Sequence, residues 1–245
     1  MPAEIDQTEV NGLYDRLGRA FARASCFPVV ERDFVKRLRF VNAADDPAWV
    51  YRNAPTYDPE YSELDGRAFW VNVRRHGGRG AGGEREMIAH VAVRVWRNAT
   101  LKELFVDSKF IQDRASGHTV TFDCTETDHV RGNLSYIGGA WVHPEFRHRR
   151  VAGLLMAFCQ LHLLEHFDTE FAIGLIDEKA AQAGMGARTW RFRHHHSGGT
   201  WHWPGHGRFP FWVIYNTRAE MLDEARRIIA AAEQIDEREL QRASA

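Results

Sequence analysis

A mixed α/β fold (α+β class) is what the sequence predicts, on three observations. Stretches with a helical repeat and stretches with strand alternation follow one another along the 245 residues. A strand–helix–strand–helix order in the second half implies a parallel pair joined by a crossover, and no internal repeat divides the chain. At about 100 to 200 residues per domain the length fits one or two domains. The simpler reading is a single domain over residues 1–245, with 217–245 a C-terminal helical extension.

From Thr8 to Ala24 the apolar positions Val10, Leu13, Leu17, Ala20, Phe21 and Ala24 recur at three and four, the period of an amphipathic helix. Pro28 interrupts it, and Val30, Phe34 and Leu38 resume it in a second short helix. Asn42 to Gly66 has no period but carries Trp49, Tyr51, Tyr57 and Tyr61 among Asp and Pro, the composition of a long ordered loop. Phe69–Arg75 and Met87–Trp96 alternate as two strands of a hairpin. The glycine-rich link between them joins strand to strand and reads as a flexible tip rather than a phosphate loop. Thr100–Gly117 stays unassigned, and Thr119–Phe122 adds a short strand.

Leu134–Val142 reads as a strand, His143–Arg150 as a basic turn and Val151–Phe167 as a helix. Phe171–Ile176 is a strand, Ala180–Ala187 a small-residue helix and Phe211–Tyr215 a last strand. Thr217 and Glu220 form a capping box for a long final helix. Its stripe of Met221, Leu222, Ala225, Ile228, Ile229 and Ala232 is expected to pack internally, with a homodimer contact as the alternative.

Composition narrows the function. Lys plus Arg number 32 against 33 Asp plus Glu, so no global field draws the chain to nucleic acid or anionic lipid, and neither is expected as a partner. No apolar run approaches the roughly 20 residues of a membrane span, and MPAEIDQTEV does not read as a signal peptide. Cys26, Cys124 and Cys159 show no CxxC spacing, which suits reduced thiols in a cytoplasm.

The stretch Ala140-Trp141-Val142-His143-Pro144-Glu145-Phe146-Arg147-His148-Arg149-Arg150-Val151-Ala152-Gly153 carries the chemistry. It is a strand, a basic turn and a helix start with small residues. Unpaired N–H groups and the helix dipole at such a start attract a phosphate or pyrophosphate.

This stretch resembles the signature of the GNAT superfamily of acyl-CoA-dependent N-acyltransferases. Val142, Pro144, Glu145, Phe146, Arg147 and Ala152 match it in register, and Arg150 stands where the first loop glycine is usual. The order of elements over residues 8 to 216 follows the same plan. The resemblance implies a mostly antiparallel twisted sheet flanked by helices, and acetyl-CoA or another acyl-CoA as co-substrate. It implies cofactor binding by Trp141, Val142, Arg147, His148, Arg149, Arg150, Val151, Ala152 and Gly153. In the family the strand splays from its neighbour and the backbone N–H at Val142 meets the thioester carbonyl. Gly138-Gly139 fits such a splay, since strand glycines mark a bulge or a close backbone approach.

The family's strand Glu falls on Tyr136, and its acidic Tyr on Ala187, so neither carries over. Tyr136 shares a face with Val142 if no bulge intervenes, and with an ordinary value near 10 it would orient the acceptor or a water rather than act as base. Glu126, Asp128 and His143 are alternative bases, and Tyr215 or a histidine an alternative acid. His194, His195, His196, His202 and His206 lie among tryptophans without a ligand motif, which reads as pocket lining or hairpin packing rather than metal ligation. The aromatic loop and this segment are expected to form one pocket for a small or planar amine acceptor, with Asp45, Asp46 and Asp58 available to attract the amine. A non-catalytic acyl-CoA-binding module and a histidine-based metal protein are the alternatives.

Overall fold

The structure is a computed structural model that describes residues 6–43, 57, 64, 66–79, 85–106, 117, 119–147, 150–205 and 207–243. Helix α1 spans Gln7–Arg23, and Asp6 caps it by accepting from the Thr8 N–H at 2.9 Å. Val10, Leu13, Leu17, Ala20 and Phe21 are its buried face.

Strand β1 (Cys26–Glu31) follows, which corrects the reading that carries Val30 into the second helix. Among the described residues β1 is an edge strand, paired only with β2. A proline costs a strand nothing there, where its nitrogen need not donate to a ladder. Helix α2 is Phe34–Ala43. β2 (Ala68–Arg79) and β3 (Arg85–Thr100) make the expected hairpin, longer than alternation alone suggested. Of the aromatic loop only Tyr57 is described among the tyrosines and tryptophan named above. Trp49, Tyr51 and Tyr61 lie outside the described residues, as does the hairpin tip at 80–84.

α3 (Leu101–Val106) fills part of the unassigned stretch, and β4 (Thr119–Phe122) is the expected short strand. Then come β5 (Arg131–Val142), α4 (Val151–Phe167) and β6 (Phe171–Asp177). The single small-residue helix expected at Ala180–Ala187 is two: α5 (Glu178–Gln182) and α6 (Met185–Arg188), broken at Gly184, whose φ is +68°. β7 (His194–Trp203) was not foreseen as a strand. β8 (Gly207–Thr217) and α7 (Arg218–Ala243) close the chain. At the start of α7 the Glu220 carboxylate accepts from the Thr217 N–H at 2.9 Å, and Thr217 Oγ1 accepts from the Glu220 N–H at 3.4 Å, a capping box.

Among the described residues eight strands form one sheet in the order β1-β2-β3-β5-β6-β8-β7-β4, in which every pair is antiparallel except β5 and β6. This is the mixed, mostly antiparallel sheet flanked by helices that the GNAT resemblance implies. One face carries α1, α4 and α7, which pack on one another and on the sheet. α4 is apolar nearly all round and buried on several sides, as a helix wedged between a sheet and two other helices must be. The stripe of α7, Met221 to Ala232, is inside this cluster, so internal packing rather than a dimer contact uses it. The opposite face is an aromatic layer containing Tyr57, Trp70, Phe105, Tyr136, Trp201, Phe211 and Tyr215. Among the described residues, no helix is long and apolar enough to cross a membrane.

Candidate active site

β5 and β6 pair only at Leu134–Phe171, Ser135–Ala172 and Tyr136–Ile173. Beyond that rung β5 stays with β3 as far as Val142–Ala89, and β6 stays with β8 as far as Asp177–Phe211. The two neighbours part, and a cavity of about 360 Å³ opens between them. Tyr136, Gly138, Gly139 and Ala140 line it from β5, Gly174 to Asp177 from β6, and Met156, Met185 and Trp190 from the helical side.

The parting coincides with a bulge. His90 faces Trp141 and Ala92 faces Gly138, so Val91 alone stands against Gly139 and Ala140, with Gly139 at φ +56°. One extra residue reverses the alternation. Tyr136 belongs to the aromatic layer and Val142 to the helical-face core, so the two do not share a face. The gap still exposes both faces of the sheet to one cavity. The Tyr136 ring folds over Gly138: a Cβ at Gly138 would lie 2.6 Å from the Tyr136 hydroxyl oxygen. Tyr136 is buried and lines the cavity beside that glycine. Burial pushes the phenol well above its ordinary value, with a smaller opposing pull from Arg37, so Tyr136 stays protonated.

The His143 N–H donates to the Ile88 carbonyl at 2.8 Å, which makes Val142–Ala89 a non-hydrogen-bonded pair of the ladder. The N–H and C=O of Val142 therefore point away from β3, toward the gap. Arg147 Nε donates to that C=O at 3.1 Å and fixes the turn. The Val142 N–H points the same way.

At the start of α4 the Leu154 N–H donates to the Arg150 carbonyl at 3.1 Å, the first such bond among the described residues. Arg150 offers no side-chain cap, and the first turn holds no acidic residue. The N–H groups of Val151, Ala152 and Gly153 form the first turn of the helix, at the positive end of its dipole. Arg150 itself sits at φ +61°, the conformation that a glycine would adopt there without strain. Val151 is buried, and Gly153 lies against α7, where a Cβ would meet Ile228 at 3.6 Å. His148 and Arg149 lie outside the described residues.

Other expected residues fall elsewhere. The Trp141 side chain packs edge-on against Phe40 at 5.4 Å and is absent from the cavity lining. His143 caps the short 3₁₀ turn Pro144–Phe146, its Nδ1 accepting from the Glu145 N–H at 3.3 Å, and does not line the cavity. Glu126 and Asp128 are at the turn before β5, the end opposite the parting. Tyr215 is also toward the paired end, its hydroxyl 3.1 Å from His129 Nε2 and its ring stacked on His194.

His194 Nε2 is 2.9 Å from the Glu220 carboxylate, and His195 Nε2 is 2.9 Å from the Phe192 carbonyl. Among the described residues no three His, Cys, Asp or Glu groups converge as a metal site. His206 lies outside them. Tyr57 and Trp201 both belong to the aromatic layer, but only Trp201 of the two lines the cavity, and most of the loop expected to meet the histidine-tryptophan segment lies outside the described residues. Leu175, Phe209 and Phe211 also line the cavity, and alternation along β8 could have pointed to the last two.

No family model matches the chain, and no curated protein does. Among solved structures, the chain is similar to Arabidopsis thaliana NAA60 in complex with acetyl-CoA, at 13% identity and a TM-score of 0.49, covering 78% of this chain and 99% of that one. It is also similar to spermidine N-acetyltransferase from Vibrio cholerae in complex with CoA and spermine, at 10% identity and a TM-score of 0.44, over 81% and 99% of the two chains. These values describe a distant likeness in chain path and do not bear on the acceptor.

Proposed function

We propose that the protein is an acyl-CoA-dependent N-acyltransferase that moves an acetyl group to a small primary amine. The observation that carries this reading is the parting of β5 from β6, with the Val142 N–H turned into the gap and an uncapped helix start at the end of the same strand–turn–helix unit. Val151, Ala152 and Gly153 would hold the pyrophosphate through their N–H groups, with Arg150 and Arg149 adding positive charge. The pantetheine arm would run between the separated strands, beside Ala140, Met156 and Trp190.

In the reaction, the amine nitrogen attacks the thioester carbonyl carbon. The C–S bond breaks, the amide forms, and the proton lost by nitrogen ends on the sulfur of free coenzyme A. The Val142 N–H would stabilise negative charge developing on the carbonyl oxygen, a contribution of roughly 10²–10³ in rate for one such donor. Tyr136, held protonated, would donate a hydrogen bond and orient the amine or a water. The buried thiols of Cys26, Cys124 and Cys159 suit a reducing cytoplasm.

Calorimetry with coenzyme A and thiol release from acetyl-CoA over an amine panel test the reading. Binding at micromolar concentration with turnover supports it. Binding without turnover on any amine would make the protein an acyl-CoA-binding module, and no binding at millimolar coenzyme A would refute both.

A further inference from the structure

The cavity is unlike a site for a charged amine. On the side of the aromatic layer its wall is Tyr136, Leu175, Trp201, Phe209 and Phe211, with the Trp201 and Phe209 rings stacked at 6.2 Å and 22°. Asp177 is the one charged side chain among its described lining residues, and that carboxylate already accepts from the Ala180 N–H at 2.8 Å as the cap of α5. An ammonium entering this wall would lose its hydration and meet, among the described lining residues, only a carboxylate already engaged as a helix cap, a large cost. A neutral amine would not. The same wall offers flat apolar surface against which an aromatic ring buries 150–250 Å² in offset or edge-on contact, an approximate range for such side chains.

We infer that the acceptor is a weakly basic aromatic primary amine, neutral at pH 7, whose ring seats against Trp201, Phe209 and Phe211. The inference rests on the acyltransferase reading and narrows it. It also accounts for the strand position at which Tyr136 replaces a carboxylate. A neutral arylamine presents its lone pair without prior deprotonation, so no base is needed before attack. After the nitrogen–carbon bond forms, the nitrogen is strongly acidic and gives its proton to the departing sulfur directly or through water. Amine plus thioester thus becomes amide plus thiol with no further reactant.

The test compares kcat/KM with acetyl-CoA for 4-methylaniline, phenethylamine and spermidine, together with coenzyme A calorimetry on the same protein. At pH 7, 4-methylaniline should exceed the other two by about tenfold or more, the scale of discrimination that apolar contacts supply. Its rate should be level from about pH 6.5 to 9, whereas the phenethylamine rate should climb about tenfold per unit as its free base accumulates. Leu175→Glu should lower the 4-methylaniline value at least about tenfold and narrow the gap to spermidine. Should that variant not fold, Phe209→Leu should reduce the arylamine value several-fold with coenzyme A affinity unchanged. Faster turnover of spermidine or phenethylamine, with coenzyme A bound, would overturn the inference and leave the acyltransferase reading standing. Failure to bind coenzyme A would overturn both.

Discussion

Tyr57 stacks on Tyr136 with ring centroids 5.4 Å apart and planes at 11°, and its hydroxyl lies 3.0 Å from the carbonyl oxygens of both Ala92 and Tyr136. A single residue of the long connection between α2 and β2 thereby bridges β3 and β5 at the last rung before the sheet opens. Tyr57→Phe keeps the ring and removes the donor in a fully buried setting. It should destabilise the protein by about 1 to 2 kcal/mol, read from urea unfolding.

Gly138 has room for no side chain, because the Tyr136 ring occupies the place of its Cβ. Gly138→Ala should push Tyr136 out of its place in the cavity wall, costing about 1 to 3 kcal/mol of stability and most of the turnover. In a Tyr136→Ala background the same change should cost far less stability, and a double-mutant cycle on unfolding free energies reads the coupling.

Arg150 holds a left-handed conformation that is strained for any side chain. Arg150→Gly should raise stability by about 0.5 to 1 kcal/mol, the strain relieved being partly offset by the entropy of glycine in the unfolded chain. Coenzyme A should bind about two- to five-fold more weakly through loss of one partly screened charge. Thermal unfolding and calorimetry on one preparation separate the two effects.

His162, on α4, stacks on Phe158 and lies edge-on to Phe69. Burial, with help from His166 and Arg32, pushes it down to about 4. Its folded value is below its unfolded one, so between about pH 6.5 and 4 the unfolded chain takes up a proton that the native state refuses. Stability should fall as pH drops through that window. His162→Gln should flatten the slope there in urea titrations.

Much of the frame was legible because period and punctuation agree. The helix Val151–Phe167, the hairpin strands, β4 and the Thr217–Glu220 cap all follow from local pattern. β1 was hidden by Pro28, which is a breaker in a helix but harmless at a sheet edge. β7 was hidden by its composition: His194 to Gly199 holds three histidines, a serine and two glycines, none of them strand formers, and only pairing with β8 defines it. The bulge was signalled by Gly138-Gly139, but its effect on facing was not, since one inserted residue decides on which side Tyr136 and Val142 fall. The carboxylate-poor wall could not be read at all before folding, because residues 136, 175, 201 and 209 meet only through non-consecutive strands.

α4 rests against α1 and α7, and those two are tied across the sequence by Arg16 to Glu233 at 2.5 Å and Arg226 to Glu9 at 2.5 Å. During synthesis, therefore, α1 is made before the eight described strands and α7 after them. In the interval the outer flank of α4, including the ground beneath Gly153, is wet and unbacked. The first turn of α4 is thus an arch whose keystone is made after the whole sheet, and Gly153 gains its backing only once Ile228 has arrived.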